Sequence, residues 1–104
     1  MIPKPWISFM DRLLQATWDN EIKWQEGGED SYFAIQKNAE LHLRYLTDDE
    51  AEERVYQFRI LRSGNDAFFS SFHYESDFHL MRNLYSAASV NAAGGADIVN
   101  GLFD

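Results

Sequence analysis

Three histidines, His42, His73 and His79, are the side chains of this sequence best suited to proton transfer or metal binding near neutral pH. If residues 73–79 were helical, His73 would stand one turn from Asp77 and Glu75 one turn from His79, with the two histidines on different faces. A typical metal site needs three or four convergent ligands. Surface polar pairs at a strand–helix junction account for the same residues, and His42, on the polar side of its strand, reads as solvated. The acidic run Asp48, Asp49, Glu50, Glu52 and Glu53 invites a calcium reading, which fails on spacing. Counted from Asp48, Glu53 falls where an EF-hand loop needs glycine, and Arg59 where it needs its bidentate glutamate. A solvated loop is the simpler reading. Ser70, Ser71 and His73 are close in sequence, but no Gly-x-Ser-x-Gly elbow is present and nothing nominates an orienting acid. Gly94-Gly95 lacks the further glycines and the lysine of a phosphate loop and reads as a helix cap.

A chain of 104 residues is long enough for one core and too short for two ordinary ones, so a single domain over residues 1–104 is expected. Aromatic residues make up 15% of it, ample to fill that core. The absence of cysteine excludes disulfides, thiolate metal sites, Fe–S clusters and thiol nucleophiles together. The formal charge of −8 is concentrated, because residues 19–53 hold eleven acids against three bases and by themselves equal the total. Such a balance argues against direct binding to a nucleic-acid backbone or an anionic membrane, both of which require clustered Lys and Arg. It permits a basic protein partner. The apolar runs are short, and the N-terminal MIPKPWISFMDRLLQ mixes polar with apolar residues where a signal peptide would be continuously apolar. A soluble cytoplasmic protein is expected.

Trp6, Phe9, Met10, Leu13 and Leu14 recur at helical spacing, which predicts an amphipathic helix from about Pro5 to about Thr17. Asp19 and Asn20 supply a break, and the alternation of Ile22 and Trp24 with Lys23 and Gln25 predicts a strand. Gly27-Gly28 is read as a turn. Further strands are expected over 32–36, 41–46 and 55–61, with Lys37-Asn38-Ala39, the acidic run and Ser63-Gly64-Asn65-Asp66 between them. Ala67–Phe72 reads as a last, shorter strand. Short connections favour an antiparallel meander. From about Asp77 to Ala92 the period returns to that of a helix, and Asp97 opens a short third helix carrying Ile98, Val99, Leu102 and Phe103. The fold class is α+β: an antiparallel meander of four to five strands flanked by an N-terminal amphipathic helix and C-terminal helices.

The run LLQATWDNEIKWQ, followed by strands and then LMRNLYSAASVNAAGGADIVNGLF, resembles small uncharacterised bacterial helix–meander–helix domains. In these a helix ending in Leu-Leu-x-x-Thr leads into a Trp strand, and a Leu-Tyr-x-x-Ala helix closes the chain. The resemblance implies a bacterial or phage origin and the same order of elements, and it brings no activity and no catalytic residues.

With no residue set that selects a reaction, metal or cofactor, the expected function is that of a non-catalytic protein-interaction module. Its candidate contact residues are the acidic Asp48, Asp49, Glu50, Glu52 and Glu53, read as a charged sheet edge, and the aromatic Phe68, Phe69 and Phe72. One alternative is an inhibitor or immunity-type protein whose acidic surface blocks a basic nuclease or nucleic-acid-binding site. A third class is a small enzyme using His73, Asp77 and His79.

Overall fold

The computed structural model describes residues 1–94 and Leu102. A 3-10 turn, Lys4–Trp6, leads into helix α1, Ile7–Trp18. Five strands follow, β1 Gln25–Glu26, β2 Ser31–Gln36, β3 Ala39–Asp48, β4 Glu53–Arg62 and β5 Asn65–Phe72, and helix α2 spans Phe78–Ala92. The strands form one antiparallel sheet in sequence order, the expected meander. Ala67–Phe72 is indeed strand, lengthened to begin at Asn65. Most of the third helix expected beyond Asp97 lies outside the described residues.

Turn chemistry sets the register. Gln36 pairs with Ala39 across a loop of Lys37 and Asn38, both at positive φ, and Arg62 pairs with Asn65 across Ser63 and Gly64, again both at positive φ. Two left-handed residues in a two-residue loop match the right-handed twist of the strands they join. Two expectations change here. The left-handed residue before β2 is Asp30 and neither Gly27 nor Gly28, and Ile22–Trp24 is extended chain that pairs with no strand, β1 being only Gln25–Glu26.

Paired residues share a face, so the registers divide the sheet. One face carries Tyr32 and Ala34, Leu41, Leu43 and Tyr45, Tyr56, Phe58 and Ile60, and Phe69 and Ser71. Both helices lie on it. Phe9 of α1 meets Phe58 at 6.4 Å between ring centroids, Trp6 meets Phe69 at 6.0 Å, and Tyr85 and Phe78 of α2 meet Tyr56 at 5.3 and 5.1 Å. The helices flank the sheet in sequence, yet in space they lie side by side in one layer, with Met10, Leu13, Met81, Leu84, Ala87 and Ala88 buried.

A buried amide joins the three pieces of this layer. The Asn91 side chain accepts a hydrogen bond from Trp24 N (2.7 Å) and donates to Ile22 O (2.8 Å) and Thr17 O (3.3 Å). The indole Nε1 of fully buried Trp24 donates to Thr17 Oγ1 (3.0 Å), whose hydroxyl donates to Leu13 O (2.8 Å). Trp24 N thus bonds to a helix side chain, which is why Ile22–Trp24 alternates in burial like a strand without being one. Among the described residues no buried side-chain polar atom lacks a partner. Gly94, at φ +73, ends α2 with its N–H donating to Asn91 O, the left-handed cap expected there.

Two predictions follow from these contacts. Asn91→Ala leaves Trp24 N–H and Ile22 O buried without partners, while Thr17 O still accepts from Asn20 N (3.2 Å), and is expected to cost about 3 kcal/mol by chemical denaturation, since an orphaned buried group costs roughly 1–3 kcal/mol. Asn91→Asp, equal in size, should not rescue, because it sets a carboxylate oxygen against the carbonyls of Ile22 and Thr17. The second concerns Tyr85, packed against Tyr32, Tyr45 and Tyr56. Burial first, then the neighbouring tyrosines and Asp30, push its phenol from 10.0 up to about 12. The unfolded chain therefore loses this proton first, so stability from Tyr85 is complete below pH 10 and is lost as pH rises towards about 12. Stability curves over that window should fall less steeply in Tyr85→Phe, after allowance for its altered baseline.

Candidate functional site

The other sheet face has no described element over it. Across the middle of the sheet, register aligns Gln25, Phe33, His42, Arg59 and Phe68, one residue from each strand. One row on lie Ser31, Arg44, Gln57 and Ser70, and beyond them Leu46, Val55 and Phe72. The row on the opposite side is Ile35, Glu40, Leu61 and Asp66. Phe68 is 57% exposed and Ile35 64%, so large apolar groups here meet solvent.

Alternation along β5 decides the fate of the candidate aromatics. Phe68 and Phe72 belong to the helix-free face, with Phe72 half-buried and stacked on Tyr74 at 5.6 Å. Phe69 points the other way, is only 6% exposed and packs on Phe58 at 5.4 Å, so it is a core residue and is withdrawn from any contact surface. The acidic residues also move. Asp48 and Glu53 are the closing pair of the β3–β4 hairpin, and Asp49, Glu50 and Glu52 lie in its loop. These strands are central, so the acids form a hairpin tip at one end of the sheet; the lateral edges belong to β1 and β5. Asp48 Oδ1 accepts hydrogen bonds from Glu50 N (3.1 Å) and Ala51 N (3.2 Å), and Glu52 adopts a positive φ, which closes the turn through the chain's own groups.

The residues of the enzyme reading are occupied separately. The segment 73–77 is a turn, with α2 beginning at Phe78. Asp77 accepts from Ile2 N (2.6 Å) and from the Ser71 hydroxyl, holding the N-terminal segment against the sheet. His73 Nδ1 accepts from Arg54 N (3.2 Å), and the ring of His79 lies beside Phe78. Among the described residues no hydrogen bond or ion pair joins His73, Asp77 and His79 to one another, and no three metal-ligating side chains cluster.

Sequence reasoning placed His42 in solvent but did not assemble its neighbours. Its ring is near-parallel to that of Phe33 (6.4 Å, 26°), and its Nε2 lies 3.8 Å from Glu40 Oε1. Arg59 grips Asp66 with two nitrogens, Nε lying 3.0 and 3.1 Å from the carboxylate oxygens. That hydrogen-bonded contact holds the Asp66 carboxyl below its usual range and raises the Arg59 guanidinium above its own. Arg44 has no ion-pair or side-chain hydrogen-bond partner among the described residues. The polar positions 42, 44, 57 and 59 carry the signal in sequence; their cross-strand pairing does not follow from alternation alone.

No family model, curated protein or solved structure matches the chain. No helix among the described residues is long and apolar enough to cross a membrane.

The self-closed hairpin tip generates a prediction. Replacing Asp48, Asp49 and Glu50 with Asn, Asn and Gln keeps the Asp48 acceptor oxygen and should change stability by no more than about 0.5 kcal/mol, as at ordinary surface sites. The melting temperature should not respond to calcium. A saturable rise with calcium in the natural chain, absent from the triple variant, would reveal a cation site instead.

Proposed function

We propose that this protein is a non-catalytic interaction module that binds another protein through the helix-free face of its sheet. The observation that carries the reading is the apolar set turned outward there: Phe33, Ile35, Leu46, Val55, Leu61, Phe68 and Phe72. A sheet of this size, with strands about 4.8 Å apart and a rise near 3.3 Å per residue, presents roughly 500–600 Å². This is less than the approximately 800 Å² per partner of a standard interface, so surfaces around the face must contribute as well. The acidic hairpin tip at one end suits a partner that sets a basic rim against it, whereas Asp66 at the other end is already paired with Arg59.

A second reading is supported by Asp49, Glu50 and Glu52, all exposed at the tip: an inhibitor or immunity-type protein that inserts this hairpin into a basic nuclease or nucleic-acid-binding site. The two readings rank the surfaces differently. Binding to a captured partner would be followed at several salt concentrations for the natural chain, for Phe68→Ala and for a tip variant with Asp49, Glu50 and Glu52 neutralised. Under the face reading, Phe68→Ala speeds dissociation by about tenfold, near 1.4 kcal/mol, while the tip variant slows association only modestly and mainly at low salt. Binding abolished by the tip variant and indifferent to Phe68→Ala would favour the inhibitor.

A further inference from the structure

A groove of about 540 Å³ crosses the middle of the helix-free face, a volume within the approximately 300–1,000 Å³ usual for small-molecule sites. We propose that it binds a small planar anion, an aromatic ring bearing a phosphate or carboxylate group. This is a site beyond the protein-binding reading, and free ligands test it without a partner.

The lining residues divide the work. Phe33 on β2 and Phe68 on β5 stand three strands apart, about 14 Å at a strand spacing near 4.8 Å. Between them His42 and Arg59 form the floor. His42 already lies near-parallel to Phe33, and the Arg59 guanidinium is fixed edge-on by Asp66, which leaves its flat faces to stack on a ring. Its charge is spent on Asp66. Arg44, one row along the strand and paired in register with Gln57, is without an ion-pair partner among the described residues and can form a two-pronged contact with a phosphate or carboxylate. A ring on the floor and the Arg44 backbone lie one row apart, about 6.6 Å at 3.3 Å per residue, a gap that the flexible Arg44 side chain can shorten to reach an anionic group attached to the ring.

Opposing charge needs weighing. Among the described residues Glu29 is the one carboxylate lining the groove, and the chain carries −8 overall. Beyond a Debye length of about 8 Å at physiological ionic strength the overall charge is largely screened, whereas a contact pair with Arg44 is not. The net effect is a modest affinity that depends on ring and anion together.

The test is a titration of the full chain followed by nitrogen–proton correlation spectra, with adenosine monophosphate, phenyl phosphate and phenylacetate as ring-plus-anion probes, and with adenosine and inorganic phosphate as the separate parts. Saturable shifts are expected at amides around Phe33, His42, Arg44, Gln57 and Phe68 for a ring-plus-anion probe, at least about tenfold tighter than for either part. The tightest of these probes identifies the anion. Arg44→Gln should weaken the anionic probes about tenfold and leave adenosine unaffected, while Phe68→Ala should weaken every ring-bearing probe. Both side chains are exposed, and circular dichroism would verify that the variants fold. The proposal is overturned if no ring-plus-anion probe saturates at millimolar concentration, if shifts centre elsewhere, if inorganic phosphate binds as well as the aromatic anions, or if Arg44→Gln binds them unchanged.

Discussion

The arrangement of the whole molecule depends on the bonds of the Asn91 side chain. An amide buried between helix ends is costly unless its donors and acceptor are matched, and here they are matched by two separate pieces of chain: the last turn of α1 through Thr17, and the link into the sheet through Ile22 and Trp24. Those bonds fix the end of α2 against both. With the two helices forced into one layer, the hydrophobic stripe of each is spent on the same sheet face. The opposite face is left to solvent, and the functional readings of this protein all begin there or at its rim.

Aromatic packing follows the same division. Trp6, Phe9, Phe58 and Phe69 form one cluster under α1, while Tyr32, Tyr45, Tyr56, Tyr85 and Phe78 form another under α2. The second is rich in hydroxyls and only partly enclosed, and the Tyr32 hydroxyl reaches Ser89 on α2 at 3.1 Å. A boundary built from tyrosines tolerates water at its margin, because each ring buries its apolar body and leaves its polar tip free to find a partner.

Much of the architecture was legible in the sequence because it rests on local physics. Helical spacing in Trp6–Leu14 and the turn signals at Lys37-Asn38-Ala39 and Ser63-Gly64-Asn65-Asp66 located elements with no reference to distant chain, although the loops themselves are the shorter pairs Lys37-Asn38 and Ser63-Gly64, with Ala39, Asn65 and Asp66 already in strands. What escaped rests on distant chain. Ile22–Trp24 alternates like a strand whether its N–H groups face another strand or a helix side chain. Phe68 and Phe69 are chemically identical, and only the position of α1 decides that Phe69 is the buried one. The same holds for the groove, since His42, Arg44, Gln57 and Arg59 become neighbours through pairing between β3 and β4.

The meander and the amide bracket also differ in how far along the chain they reach. Each hairpin closes over a handful of residues, whereas Asn91 joins groups 67 to 74 positions away. Closing a long loop is entropically demanding and gains nothing until the ends meet. Assembly therefore has a natural direction: the hairpins can form from neighbouring segments, and the molecule becomes cooperative only when its first and last helices find each other. Until that moment both sheet faces are bare and the more apolar one is open to any passing apolar surface, and the docking of the helices is the event that makes that face an inside.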